Sequence, residues 1–346
     1  MKLILFLLIC LVMVLPGEVV PLPGMVRPES VAVGEDYVYI TDFPTVYIFD
    51  KKDFHLVKKF GSSGEGPKEF RQFAGVYIRG DDLFVCDLGK ALIYTKDGNY
   101  KKEIKARNFI WRELMPVGNK FIGKGRFNED KIEYISLNLY DADLNQEKQV
   151  LKYPFWGTAY LGKMSNLVDY RNIQYIPYNG SIFVKPEEKA FIIDVYDTSG
   201  KKRYRIERDY EKIPVTDADV KRYHDYFRTY SKVRQNYEQI KKELGFYPVF
   251  PAIRTFTVAD DKIYVVTYKM KEGDSEVLVL DLKGKLLKTV YLPLFKTDEL
   301  FFRSIENNIF RRINNSTFAI KDGKLYRLIV DEEAESWALH VTDISS

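Results

Sequence analysis

The chain has 346 residues, 46% of them hydrophobic and 15% aromatic, with 25 Tyr and 23 Phe. That is enough apolar material for a sizeable core, and the aromatic excess suits pleated, half-buried surfaces, so it points to β structure. The 53 basic and 49 acidic residues leave a net charge of only +4, with no basic arm. This excludes the electrostatic footprint expected of a nucleic-acid-binding protein.

Lys2 precedes an unbroken apolar run over residues 3–15, closed by Pro16 and Gly17. The run is long enough for the apolar region of a signal peptide and too short to span a bilayer. Residues 1–17 are therefore expected to be a signal peptide, leaving a mature chain of 18–346 in the periplasm or outside the cell. Cys10 invites a lipid-anchor reading, but Ile9 stands where lipoprotein processing wants a small residue. Without Cys10 the mature chain keeps only Cys86, so no intramolecular disulfide can form and stability must come from packing and strand pairing. No later segment is apolar enough to cross a membrane as a helix.

A repeat follows. Residues 37–42 (Tyr-Val-Tyr-Ile-Thr-Asp), 46–50 and 56–60 form three short strand-like runs, and 83–87, 91–94 and 100–104 form three more. Each trio has a fourth run upstream, at 30–33 and 75–78, and the period from Asp42 to Asp87 is that of a four-stranded propeller blade. Looser units occur at 120–140, 181–200, 262–292 and 324–343, giving six blades. The turns between their strands carry Gly: Lys96-Asp-Gly-Asn99, Asp197-Thr-Ser-Gly200 and Lys283-Gly284.

The sixth unit aligns with the fifth but has no outer strand, and a matching segment stands at residues 18–24. The expected fold is thus all-β, a six-bladed β-propeller whose N-terminal strand closes the last blade. Between the fourth and fifth units, about residues 214–248, the pattern changes. Thr216 and Asp219 can cap a helix, and Val220, Tyr223, Phe227, Tyr230, Val233, Tyr237, Ile240 and Leu244 recur at helical spacing up to Gly245. This predicts an inserted helix of about eight turns. Its other face carries Lys221, Arg228, Lys232 and Lys242, read as a solvated basic face or a partner surface. Residues 153–179 and 293–316 are further long connections, where binding commonly resides.

Residues 60–70 (Phe-Gly-Ser-Ser-Gly-Glu-Gly-Pro-Lys-Glu-Phe) are the most specific feature. With the strand-ending Asp42 and Asp87, this segment resembles the inter-blade linker of NHL-type repeats and of related exported bacterial six-bladed propellers. The resemblance covers residues 28–105 and fades beyond. It implies the propeller fold, export, and the binding of proteins or other ligands on one face. Physically, the glycines permit a tight path, Pro67 stiffens it and Phe70 can wedge between blades. Asp42 and Asp87 fit backbone N–H acceptors at strand ends. No helix opens behind the glycines, which excludes a phosphate loop.

Some NHL-like propellers are zinc lyases or calcium lactonases. The zinc chemistry needs several imidazoles at one point, and His55, His224 and His340 fall on an outer turn, the insertion and the last strand. Acidic residues are plentiful, but their spacing marks no calcium set, and no nucleophile elbow is present. No catalytic, cofactor-binding or metal residue is therefore singled out. The reading is an exported binding or scaffold module for a protein or glycan partner, without catalysis. Its alternative is a metal-dependent hydrolase or lyase using the axial channel.

Overall fold

The computed structural model describes residues 17–71, 73–87, 89–106, 112–154, 173–186, 190–229, 235, 237–241, 246, 248–294, 317–331 and 336–345. The strands form six four-stranded antiparallel sheets, each a blade. Blade one holds β2 (Ser30–Val33), β3 (Tyr37–Asp42), β4 (Thr45–Asp50) and β5 (Leu56–Phe60). Blade two holds β6 (Phe73–Arg79), β7 (Asp82–Asp87), β8 (Lys90–Thr95) and β9 (Tyr100–Lys105). In blade three, β10 (Arg112–Val117), β11 (Lys120–Glu129), β12 (Ile132–Tyr140) and β13 (Gln146–Pro154) pair in order. Blade four comprises β14 (Gln174–Tyr178), β15 (Ser181–Lys185), β16 (Phe191–Asp197) and β17 (Lys202–Arg208). Blade five comprises β18 (Thr255–Ala259), β19 (Lys262–Lys271), β20 (Asp274–Asp281) and β21 (Leu286–Leu292). Blade six contains β22 (Phe318–Lys321), β23 (Lys324–Asp331) and β24 (Ser336–Asp343), and β1 (Glu18–Leu22) supplies its outer strand. The innermost strands touch in rotation, β2 to β6, β10, β14, β18, β22 and back to β2, so the ring is closed.

The near-continuous apolar runs follow from burial on both faces of each blade. In β3, Val38 and Ile40 pack toward blade six while Tyr39 between them packs toward blade two. β7 repeats this, with Leu83 and Val85 facing blade one and Phe84 and Cys86 facing blade three. The core is accordingly six apolar clusters, one in each seam between blades. A strand with alternating polar residues would leave one seam empty. Cys86 is a packing residue of one seam, and burial pushes its thiol pKa up, away from the reactive range.

The outer turns repeat one device. Asp141 Oδ1 accepts the N–H groups of Asp143 and Asn145 at 2.9 and 2.8 Å. Asp197 does the same for Ser199 and Lys201, and Asp281 for Lys283 and Lys285. Phe54, Gly98, Leu144, Gly200 and Gly284 then take left-handed backbone in the corresponding turns. Two kinds of residue serve there. Phe54 and Leu144 insert their side chains into the seam, whereas Gly284 lets the preceding blade press onto the turn. A Cβ on Gly284 would sit 2.4 Å from Ile206 Cγ2 of blade four. The same turns accept hydrogen bonds from the preceding blade's outer strand: Lys58 to Asn99, Lys148 to Ser199, Tyr204 to Leu282 and Lys288 to Ile344.

The expected closure is present. β1 pairs antiparallel with β24, Glu18 opposite Val341 through Leu22 opposite Trp337. Leu22 is buried in the seam between blades six and one, and Pro21 is tolerated because β1 is an edge strand. In the insertion, expected as one long helix, α1 (Asp217–Thr229) has 13 residues and the one-turn α2 (Tyr237–Ile240) follows Gln235, while residues 230–234 and 236 lie outside the described residues. Its start is as expected, with Thr216 N–H donating to Asp219 and Asp219 N–H to Thr216 Oγ1. Stripe positions Tyr223, Phe227, Tyr230, Val233, Ile240 and Leu244 lie outside the described side chains.

Deleting residues 18–24 is expected to remove about 4 kcal/mol or more, from Leu22 burial and the strand pairing. For a chain of this length that corresponds to a fall in melting temperature of about 6 °C or more; an unchanged melting temperature would refute closure by β1. The turn carboxylates predict an acid limb. Hydrogen bonds from the Ser199 side chain and the Lys201 N–H hold the Asp197 pKa down to about 2, and Ser345 lowers that of Asp343. A depressed carboxylate pKa gives stability that is present above the unfolded value of about 4 and is lost as pH falls through the folded one. Asp197→Asn, which keeps the acceptor oxygen, should make the decline in melting temperature between pH 5 and pH 2 shallower.

Candidate functional site: the linker face of the ring

Because each blade is an antiparallel meander, connections of the same type emerge on the same face. Links from an outer strand to the next inner strand share one face with the hairpins between second and third strands. The opposite face holds the short turns described above. All long connections therefore leave and rejoin the ring on one side, here called the linker face: from β13 to β14, β17 to β18 and β21 to β22. On the same side, the β11–β12 hairpin pairs from Phe121–Tyr140 out to Glu129–Ile132, well beyond the four pairs of β15–β16. The β19–β20 and β23–β24 hairpins are extended too.

Buried polar side chains anchor this face. Asp42 accepts the N–H groups of Val26 and Arg27 at 2.8 and 2.9 Å, clamping the link that enters blade one. Asp87 accepts Arg71 N–H at 2.8 Å in the same relative position. The expected backbone-acceptor role is therefore present, and the N–H groups served belong to the incoming linker. Within that linker, Gly66 N–H donates to Glu69 Oε2, Lys90 Nζ donates to the Glu69 carbonyl, and Phe70 is fully buried between blades one and two. A Cβ on Gly61 would meet the Pro44 carbonyl oxygen at 2.3 Å, so that glycine is dictated by close approach. Farther round, the Gln174 amide pairs with the backbone of the next inner strand, donating to the Phe256 carbonyl at 2.7 Å and accepting Phe256 N–H at 3.0 Å.

Above these anchors stand aromatic pairs crowned by cations. In blade three, Phe127 and Tyr134 stack at 5.5 Å with Lys152 Nζ 4.9 Å from the Tyr134 ring, and Glu129 pairs with Lys152. In blade five, three residues of β19 bulge between Val266 and Met270. Phe250 and Tyr268 stack at 4.6 Å, and the Arg254 guanidinium lies 5.4 Å from the Tyr268 ring. Buried Glu276 accepts Thr267 Oγ1 at 2.9 Å, with Tyr210 Oη at 3.4 Å, while Lys269 sits over Tyr210 and pairs with Glu211 at 2.7 Å. Burial pushes the Tyr210 hydroxyl pKa up, so it stays protonated and able to donate. Rings capped by cations can stack on planar or sugar surfaces and hold acidic groups at their rim.

The insertion rises from a two-strand foot, where Val215 N–H donates to Pro248 and Phe250 N–H to Ile213. On α1 the basic positions Lys221 and Arg228 both pair with Asp225, which favours a solvated, locally neutralised face. Lys232 and Lys242 lie outside the described residues. The three histidines fall on different elements. His224 contacts Tyr237 Oη and the Phe246 ring, and burial and Arg228 lower its pKa; burial and Arg327 lower that of His340 on β24. His55 lies on the opposite face, 2.6 Å from Asp53. With Asp50 it forms a group whose potential metal-ligating atoms lie within 4.8 Å of one another, but Asp50 and Asp53 also accept the N–H groups of Lys52 and His55 within their turn.

No family model matches the chain, and no curated protein matches it. Solved structures do. A member of the DUF4221 family from Bacteroides vulgatus superposes with a TM-score of 0.51 at 11% identity, covering 95% of this chain and 96% of that one. The Neurospora crassa Pan2 WD40 domain gives 0.43 at 9% identity with 93% of each chain covered, and Kluyveromyces lactis Hsv2 gives 0.37 at 11%, covering 91% and 85%. At such identities the first likeness shows the fold alone.

Asp42→Ala should leave two N–H groups without their acceptor and destabilise the protein by about 2–4 kcal/mol. Chemical denaturation is the measurement, and a loss below about 0.5 kcal/mol would show that the clamp is dispensable.

Proposed function

We propose that this protein is an exported six-bladed propeller that binds a protein or glycan partner through its linker face and acts as a binding or scaffold module, not a catalyst. The single observation that carries this reading is the segregation of features. The long connections, the extended hairpins and the cation-capped aromatic pairs of blades three and five share one face, while the other face is built of short, self-satisfied turns. Rigid rings with elaborated connections on one side suit recognition, because the scaffold holds many side chains in fixed positions.

Export rests on the apolar run at residues 3–15 and on the resemblance of residues 28–105 to exported NHL-like propellers. The absence of paired cysteines fits a fold held by six apolar seams and a strand closure.

The test pairs two surface variants with one control. Tyr134→Ala with Lys152→Ala, and Tyr268→Ala with Arg254→Ala, alter the linker face; Lys120→Ala alters the turn face. Binding to glycan arrays and to envelope extracts should fall tenfold or more for the first two and stay unchanged for the control. Equal loss for all three, or no binding by the unaltered protein to either panel, would overturn the proposal.

A further inference from the structure

Among the described residues no strand pairs with the outer edge of any blade, and native edges that could pair with another chain are usually guarded by charge or proline. Five of the six edges here are guarded in this way. β5 carries Lys58 and Lys59, and β9 carries Lys101, Lys102 and Lys105. β13 carries Lys148, Lys152 and Pro154; β17 carries Lys202, Arg203, Arg205 and Arg208; β1 carries Glu18 and Pro21. β21, Leu-Leu-Lys-Thr-Val-Tyr-Leu, differs. Its one charge, Lys288, donates to the Ile344 and Ser345 carbonyls of blade six at 3.2 and 3.3 Å. Lys58 and Lys148 donate to their next blades in much the same way, so what sets β21 apart is that it has no second charge and no proline. Leu286, Leu287 and Tyr291 on this strand are 39%, 48% and 40% exposed, giving it more exposed large apolar side chains than any other outer strand.

We propose that β21 is an edge through which two copies of this chain pair, antiparallel, about a twofold axis at Thr289. The strand is compatible with itself in that register. Thr289 faces Thr289 of the second copy, Leu287 faces Tyr291, Lys288 faces Val290 and Leu286 faces Leu292. No like charges oppose one another, and apolar and β-branched residues make favourable cross-strand pairs. The same operation on β5 would set Lys58 against Lys58. Isologous pairing of this kind is self-limiting: it joins two four-stranded blades into one eight-stranded sheet and then has no further edge to extend. The dimer would carry two linker faces on one assembly, a consequence that goes beyond the binding reading without depending on it.

The test uses protein recovered after expression of the full chain. Sedimentation analysis should show a concentration-dependent monomer–dimer equilibrium. Leu287→Lys combined with Tyr291→Lys, both at exposed positions, should weaken it tenfold or more while leaving the melting temperature unchanged. Directly opposed residues in antiparallel strands have Cα atoms about 4.5–5.5 Å apart, within the range that a disulfide spans. Thr289→Cys should therefore crosslink the dimer on mild oxidation, with peptide mapping placing the bond between the two introduced thiols, while Val57→Cys on β5 should not crosslink. Cys86 is buried and does not compete. A protein that stays monomeric at about 100 μM, where even weak specific pairing would register, would overturn the proposal. So would a dimer that survives the double lysine substitution, or a Thr289→Cys variant that crosslinks no faster than Val57→Cys.

Discussion

Burial of both faces of every blade is the constraint from which the rest of the molecule follows. Val38, Tyr39 and Ile40 are consecutive and all buried, yet they belong to two different seams. A single blade could not satisfy them, because it would expose an apolar face on either side. The only arrangement that leaves no such face is a closed ring, and closure needs a fourth strand in blade six. Pairing of β1 with β24 supplies it, and Leu22 brings a side chain to the seam that this completes. The ends of the described ring are thus joined by hydrogen bonds and packing in a chain with one cysteine among its described residues, Cys86, in a seam.

A ring of blades also has to fix the rotation between neighbours. Two sets of polar contacts do this at the two faces. On one face, the outer turns accept hydrogen bonds from the preceding blade, and Gly284 admits Ile206 where any side chain would collide. On the other, Asp42 and Asp87 hold the incoming linkers by their backbone N–H groups. The first set consists of short repeated turns with few groups to spare. The second supports connections of very different lengths, since only their ends are clamped. Variation can accumulate there without disturbing the seams, which is why recognition is assigned to that face.

The groups described on the linker face fit the binding reading proposed above. Cations lie over stacked rings, and the buried Glu276 accepts from Thr267, so the face presents shape and charge in fixed positions. A pair of such rings joined through β21 would hold two of these surfaces in one assembly. Recognition and bridging would then use separate parts of one rigid body.

Much of this is legible in the sequence because period and burial leave direct traces. Strands such as β3 and β7 read as unbroken apolar runs ending in Asp, the outer turns carry Asp and Gly at fixed offsets, and residues 60–70 announce a linker by glycines that close approach requires. Even the closing strand could be placed, from the unit that lacked its fourth member. The inner strands β10 and β14 were not legible, since Pro116 and Pro177 interrupt them, nor were the outer strands β13 and β17, whose charged residues read as loop. The sequence alone determined the fold class, the blade count and the strand that completes the ring, because those depend on local periodicity. Tertiary structure alone decided that Asp42 serves a linker sixteen residues upstream, that Lys152 and Arg254 come to lie over aromatic rings, and that β21 exposes more large apolar side chains than the other outer strands described. Those properties depend on which distant segments the seams bring together, and no period in the chain records that.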